Sequence, residues 1–372
     1  MILKALLVAT LAISLYSLLD VVWRMGFHLH YHKHYPGKCS QVKGVEFGSE
    51  DLQVTSDGLA FITSGFSFQV SSQKFKEFLS ANDVKGQIVL FDFNKPDLEV
   101  TKLKISPTKL FNPDTFRPHG ISVLEDKVNG QHLVYVINHP DQEADRVEKF
   151  RYLPHNQELF HLKSFSSETF RGTNDLAVLE EDKFFISNYF YYTTSILTTL
   201  ENLGILKFAT VVYFNGTDYV ESLTNLQGPN GVTLSRDGRY LYVNFPLRGY
   251  MQVYERTRDN QLDLVQTVPL FSAPDNSHLS TSGNGLFIGI HPITYQIIQH
   301  LDDPLSRAPS SVLYVPLADG KAVLDDITQL FYDHGDLITG STIAAVYNNK
   351  LIIGSIIDKL VVCQLGDTTL FD

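Results

Sequence analysis

Apolar and polar positions along this chain follow two rhythms. Near the start, Lys4 precedes a predominantly apolar run from Ala5 to Leu19, extended through Asp20 to Val22 and Trp23. From Gly48 onward a different phrase recurs six times. The copies read GSEDLQVTSDGLAFITSG from Gly48, RPHGISVLEDKVNGQHLVYVINHP from Arg117 and GTNDLAVLEEDKFFISN from Gly172. They continue as GPNGVTLSRDGRYLYVNFP from Gly228, APDNSHLSTSGNGLFIGIHP from Ala273 and GSTIAAVYNNKLIIGS from Gly340. Each begins with a small or turn residue and an acidic, amide, imidazole or hydroxyl side chain. A short apolar stretch follows, then a polar turn (Asp57-Gly58, Asn129-Gly130, Asp237-Gly238, Asn284-Gly285 or Asn348-Asn349), then a β-rich run. That is one hairpin per copy.

Successive copies lie roughly 45–70 residues apart, near the period of propeller blades carrying insertions. The pattern predicts an all-β fold, a six-bladed β-propeller occupying residues 39–372 as one domain. In a propeller the innermost strands line a central channel, so equivalent positions of all blades converge. Glu50, His119, Asn174, Asn230, Asp275, Asn276 and Ser341 are therefore expected to meet. Two segments depart from the strand rhythm. Phe75, Phe78 and Leu79 share a helical face within residues 75–81, and Ile196, Leu200, Leu203 and Leu206 do so within 189–208. The second is expected to be a helix or lid inserted in the third blade near the channel mouth, or an ordinary core-packing helix.

The apolar start reads as an uncleaved signal anchor over residues 1–24, long enough for a bilayer. A cleaved signal peptide is the alternative, although no small-x-small site follows. Residues 25–38, with histidines at 28, 30, 32 and 34, read as a solvated juxtamembrane tether, with a transition-metal site as the alternative. The net charge of −11 argues against nucleic acid as a partner and suits a cation-binding protein. The two cysteines, Cys39 and Cys363, bracket the repeats. In an oxidising compartment a bond between them would staple the chain ends, and unrelated buried thiols are the alternative. Asn215-Gly216-Thr217 is a glycosylation sequon between two β-rich runs, which agrees with a lumenal or extracellular domain.

Glu50, Asn174, Asn230, Asp275 and Asn276 are all oxygen donors, a set that suits calcium better than magnesium. Zinc is disfavoured, because no thiolate is offered and the histidines lack ligand spacing. Adjacent residues point to opposite sides, so Asp51 and Asp175 are placed to hold a second ion deeper in the channel. Singly, each of these would be an ordinary turn residue. Six in phase argue otherwise. No G-x-S-x-G elbow occurs, which disfavours a serine esterase.

The sequence resembles the paraoxonase family, calcium-dependent arylesterases and lactonases built as six-bladed propellers. The resemblance runs from about Cys39 to Leu365 and rests on GSED at Gly48, GLAF at Gly58, PHGIS at Pro118, VINHP at Val136, NDLAV at Asn174, PNGV at Pro229, SRDGR at Ser235, APDN at Ala273, GSTIA at Gly340 and the closing Cys363. It implies a catalytic calcium on Glu50, Asn174, Asn230, Asp275 and Asn276, and a structural calcium on Asp51, Asp175 and the Ile121 carbonyl. It also implies a His119–His139 dyad and a Cys39–Cys363 disulfide. The calcium would polarise an ester or lactone carbonyl, and His119 would activate water, tuned by His139. Asp275 is the alternative assistant or nucleophile. Three segments depart from the family pattern: Tyr189 and Phe190 stand where an acid and a histidine are common, Ile290 replaces a cysteine, and Gly228-Pro229 stands where an aromatic commonly lines the pocket. These bear on pocket shape and substrate range. One branch of the family implies another function, a non-enzymatic endoplasmic-reticulum chaperone for membrane channels of the degenerin/epithelial sodium channel type.

Overall fold

The computed structural model describes residues 2–68, 71–126, 129–141, 143–192, 195–202 and 206–366. Six antiparallel sheets, with one short parallel edge strand, form the blades of a β-propeller. Their innermost strands are Leu52–Val54, Pro118–Asp126, Thr173–Glu180, Val232–Leu234, Ala273–Leu279 and Ser341–Tyr347, and these define blades 1 to 6 in order. Each pairs with the next strand of its copy, so every repeated phrase is the inner hairpin of one blade. Blade 6 is completed by the chain's first strand, Cys39–Gln41, which pairs antiparallel with Val361–Gln364. In that register Cys39 faces Cys363, and the two form a disulfide spanning 324 residues.

The strands are apolar because both faces of the blades are covered. Ile62, Val89 and Phe91 of blade 1 pack with Ile343, Ile352 and Val362 of blade 6. On its other side, Phe61, Ile88 and Leu90 of blade 1 meet Val134, Val136 and Phe150 of blade 2. Sheet-on-sheet burial of this kind repeats around the ring, and closure leaves the six hairpins with one common axis.

Helix α1, Ile2–Arg24, is long and apolar enough to cross a membrane, with a mean hydropathy of 2.0 over Leu6–Arg24 and none of that stretch buried in the protein. Its one acid, Asp20, accepts from Arg24, whose Nη1 donates to the Leu247 carbonyl at 2.6 Å and ties the helix base to blade 4. The segment that follows differs from the expected solvated tether. Phe27 stacks on Tyr295, Tyr31 packs on Tyr332, and His34 exchanges two backbone hydrogen bonds with Tyr332. Tyr35 and Lys33 both reach the buried Asp333 carboxylate, at 2.7 and 3.1 Å. The alternation explains this docking: histidines 28, 30, 32 and 34 are exposed, while the odd-numbered Phe27, Tyr31 and Tyr35 make the ring and hydroxyl contacts with blade 5.

Three short helices lie between blade strands. Helix α2, Gln73–Ala81, is capped by Ser72, which accepts from the Phe75 N–H, and it buries Phe75 as the spacing predicted. Helix α3, Ser195–Asn202, is shorter than the expected 189–208 segment; Leu203 lies outside the described residues. Ile196 on it is exposed and Leu200 is half-buried. Helix α4, Thr294–Asp302, packs with α2 through a cluster containing Phe66, Phe75, Ile297 and Leu301.

Candidate functional site

A cavity of about 460 Å³ opens at one end of the central channel. Its walls are apolar, with Phe66, Phe68, Tyr189, Phe190, Leu247 and Ile298 among them, and its polar lining includes Glu50, His119, Asn174, Asn230 and Asp275. Met25, directly after α1, also lines it, as does Thr199 of α3. Blades far apart in sequence thus converge on one chamber, as the phase of the repeats predicted.

The oxygen donors carry a specific signature. Glu50 Oε2, Asn174 Oδ1, Asn230 Oδ1, Asp275 Oδ1 and Asn276 Oδ1 are each buried without a hydrogen-bond partner. A buried polar atom left unpaired costs roughly 1–3 kcal/mol, and all five are oxygens with lone pairs to offer, so together they suit an occupant that carries positive charge. Carboxylates, imidazoles and thiolates alone form no cluster of three among the described residues; the set is completed by amides. These five residues could hold a hard, oxygen-ligated cation. The surrounding bonds aim them: Asn276 Nδ2 donates to Glu50 Oε1 at 2.9 Å, Thr342 Oγ1 donates to the Glu50 carbonyl at 2.5 Å, and Asn244 Nδ2 donates to the Asp275 carbonyl at 2.7 Å. Two glycines give the inner strands room to approach, since a Cβ on Gly120 would lie 2.6 Å from Asp175 Cα and one on Gly231 would lie 2.5 Å from the Asp275 carbonyl oxygen.

A second acidic layer lies beside the first. Asp51 accepts from the N–H groups of Leu52 and Ile121, both at 2.8 Å, and Asp175 from those of Leu176 and Val232, both at 2.7 Å. Burial first, and then the neighbouring carboxylate charge, pushes Glu50, Asp51 and Asp175 well above the usual carboxylate range. Three buried acids that repel one another in this way also favour a cation between them.

The imidazoles form a chain. His119 Nδ1 lies 2.9 Å from His139 Nε2, and His139 Nδ1 lies 2.8 Å from Asp145 Oδ1. The other oxygen, Asp145 Oδ2, accepts from the Thr173 N–H at 2.9 Å and the Thr173 hydroxyl at 3.0 Å. Burial alone would raise Asp145, but the His139 charge and the bonds from His139 and Thr173 outweigh it and hold the acid below its ordinary value. Burial beneath Phe66, whose ring centre is 4.4 Å away, lowers His119 to about 4, so it is neutral at pH 7. Its Nε2 faces the donor set, 3.4 Å from Glu50 Oε1 and 3.5 Å from Asn174 Nδ2.

The arylesterase family profile matches residues 33–365. The chain belongs to the arylesterase family. Its relatives include serum paraoxonase/arylesterase 2 of Gallus gallus, 32% identical over 329 residues and covering 88% of both chains. Serum paraoxonase/arylesterase 1 of Homo sapiens is 31% identical over 88% of each, and serum paraoxonase/lactonase 3 of Rattus norvegicus is 30% identical over 89% of each. Among solved structures, a luciferin-regenerating enzyme aligns with a TM-score of 0.53 at 10% identity, over 89% of this chain and 96% of that one. The aldose sugar dehydrogenase of Streptomyces coelicolor aligns at 0.50 and 10%, over 89% and 99%. Those two share the fold.

Within this arylesterase-family propeller, the sixth copy departs from expectation. Ser341 turns between blades 5 and 6, donating to the carbonyls of Ile290 and Ser311, and it is Thr342 that reaches the site. Tyr189 and Phe190 line the cavity directly. Burial, and then the Asp275 charge, pushes the Tyr189 phenol up, so it keeps its proton. The repeat reading gave no role to two residues. His291 Nε2 lies 2.7 Å from Asp275 Oδ2, and Asp145 stands behind His139. A signal for His291 was present, because copies two and five both close in His-Pro, at His139-Pro140 and His291-Pro292. Asp145 lies between strands and has no counterpart to betray it.

Proposed function

We propose that this chain is a calcium-dependent hydrolase of aryl esters and lactones, anchored by α1 with its propeller in a lumenal or extracellular compartment. The observation that carries the reading is the set of five buried, unpaired oxygens beside a neutral imidazole on the floor of an apolar chamber. Calcium held by Glu50, Asn174, Asn230, Asp275 and Asn276 would supply Lewis-acid polarisation of a carbonyl and charge to offset its developing oxyanion. A second calcium on Asp51, Asp175 and the Ile121 carbonyl would offset buried charge and stiffen the inner strands. The aromatic walls bind the aryl or acyl part and exclude bulk water, while His119 Nε2 removes a proton from the attacking water. The His291 contact orients Asp275 and spreads its charge. Both the disulfide and the half-exposed Asn215, on the hairpin between strands Ala209–Phe214 and Tyr219–Leu226, suit an oxidising compartment such as the endoplasmic reticulum or cell surface.

The test is hydrolysis of phenyl acetate and a medium-chain lactone by the purified full chain in detergent. Activity should vanish with chelator and return with calcium. A calcium-loaded protein silent on both substrates would defeat the reading, and association of that silent protein with a membrane-channel subunit would support the chaperone function instead.

A further inference from the structure

The residue behind the histidine pair decides which way its protons point. Asp145 is buried, with 6% of its surface exposed, and each of its oxygens has an assigned task. Oδ2 accepts from the Thr173 backbone N–H, a donor whose direction cannot be reversed. Oδ1 faces His139 Nδ1 and, as a carboxylate oxygen, can only accept. His139 must therefore carry its proton on Nδ1 and offer a lone pair at Nε2. His119 answers with a proton on Nδ1 and a lone pair on Nε2, the nitrogen turned toward Glu50 and Asn174.

We propose that Asp145 is a positioning residue of the hydrolytic site: through His139 it fixes the tautomer of His119, so that Nε2 meets the cavity as a base and not as a donor. The proposal rests on the hydrolase reading for its kinetic consequence and on geometry alone for the tautomers. Asp145 touches no cavity-lining donor itself. When His119 Nε2 takes a proton from water, a new N–H bond forms and the positive charge is shared along two hydrogen bonds toward a fixed anion. A carboxylate in that place stabilises the charged imidazole without becoming protonated. Thr173, next to Asn174, links this orientation to the donor set.

The substitution Asp145→Asn gives the sharpest test, because the Thr173 N–H still needs an acceptor. The amide must turn its oxygen to Thr173 and its NH₂ to His139 Nδ1. The whole chain then inverts: His139 is protonated on Nε2, His119 accepts at Nδ1, and the His119 proton moves to Nε2 and blocks the base. Asp145→Ala removes the constraint without imposing the reverse, so His119 still samples the productive tautomer. We expect kcat for phenyl acetate to fall about 10²–10⁴-fold in D145N, the usual contribution of a general base, with KM little changed and D145A less impaired. A merely structural role predicts the opposite order, since alanine leaves both Thr173 donors unpaired.

Nitrogen-15 spectra of the histidines in the full-length protein, assigned with His119→Gln and His139→Gln, should show Nδ1–H on both rings in the parent and Nε2–H on both in D145N. The inference is overturned if D145N hydrolyses within a few-fold of the parent, if D145A is the more impaired, or if His139 of the parent is protonated at Nε2. Should the parent hydrolyse neither substrate, the hydrolase reading falls by itself and the spectra decide this one: inversion in D145N upholds it, and unchanged tautomers overturn it.

Discussion

Gly231 follows Asn230 at the start of the blade 4 inner strand, and its missing side chain is what lets blade 5 come close. A Cβ there would stand 2.5 Å from the Asp275 carbonyl oxygen, 2.7 Å from Asn276 Cα and 3.2 Å from Asn244 Nδ2. Ordinary contact begins at 3.4 Å, so the shortest distance is about 0.9 Å too small. The obstruction is backbone, together with an amide already bonded to that same carbonyl, so no flexible side chain can yield. Gly231 has no left-handed φ, and the whole effect of Gly231→Ala is therefore steric. The two inner strands must separate by nearly an ångström, carrying Asn230 away from Asp275 and Asn276. Overpacking of this kind costs about 1–3 kcal/mol, and a misplacement of about 1 Å at a reacting centre can cost about 10²-fold in rate. We expect G231A to lose about 10² in ester hydrolysis, to bind calcium more weakly by titration calorimetry, and to melt a few degrees lower. Gly366→Ala, where a Cβ meets open space, is the control and should change none of these. If G231A kept parental activity and calcium affinity, the close approach of blades 4 and 5 would not set the site.

Three further outcomes follow from other contacts. Cys363→Ser opens a loop of 324 residues, worth about 5–6 kcal/mol in the chain-entropy model, so its calorimetric unfolding should shift far downward and become insensitive to reductant; equal stability of parent and variant would refute the staple. His278 is lowered by burial to about 4, so it stays neutral in the fold while the unfolded chain takes up a proton below about pH 6.5. Its contribution is complete above that pH and lost as pH falls toward 4, about 3 kcal/mol in all, so urea unfolding of His278→Gln should show a shallower acid decline than the parent. Because Glu50, Asp51 and Asp175 are raised by burial and mutual repulsion, calcium should displace protons from them: its binding enthalpy should differ between buffers of different ionisation enthalpy, and its affinity should fall with acid. Identical enthalpies in both buffers would show that these groups are already ionised.

What the sequence disclosed was whatever the repeat enforced. Hairpin turns, the number of blades and the convergence of Glu50, Asn174, Asn230 and Asp275 all follow from a phrase returning in step, because closure of the ring converts phase into proximity. The sixth copy misled for the same reason. Phase pointed to Ser341, whereas strand pairing sets Ser341 level with Thr173 and Pro274, so that Thr342, inside the bulge that blades 3 and 5 share, is the true counterpart of Asn174 and Asp275. Helix α4 went unread because only Pro292 and Ile293 stand between it and the preceding strand, and its apolar positions, Ile297, Ile298 and Leu301, continue the apolar run of that strand. Asp145 was illegible in a stricter sense. It belongs to a connection between strands, where no periodicity constrains the residue, and only the folded contact with His139 gives it meaning.

The repeat is symmetric and its use is not. Blades 1, 3, 4 and 5 supply the unpaired oxygens, blade 2 supplies an imidazole, and blade 6 supplies a hydroxyl that holds the Glu50 backbone. The donors thus form an arc, and the imidazole fills its gap between Glu50 and Asn174. Imidazole is a poor ligand for a hard cation, so a histidine in that gap leaves the ring chemically incomplete on one side. On the proposed reading, an oxygen there would make a better cage and a worse catalyst. The same asymmetry recurs in the supporting bonds. Asn276 and Asn244 spend their amide N–H groups on Glu50 and on the Asp275 carbonyl, which leaves oxygens for charge, while Asp145 spends both oxygens on donors and leaves a lone pair two residues away, at His119 Nε2. In the proposed hydrolase, one half of the floor would attract a positive ion and the other would accept a proton, and they meet where a carbonyl and a water would have to lie side by side.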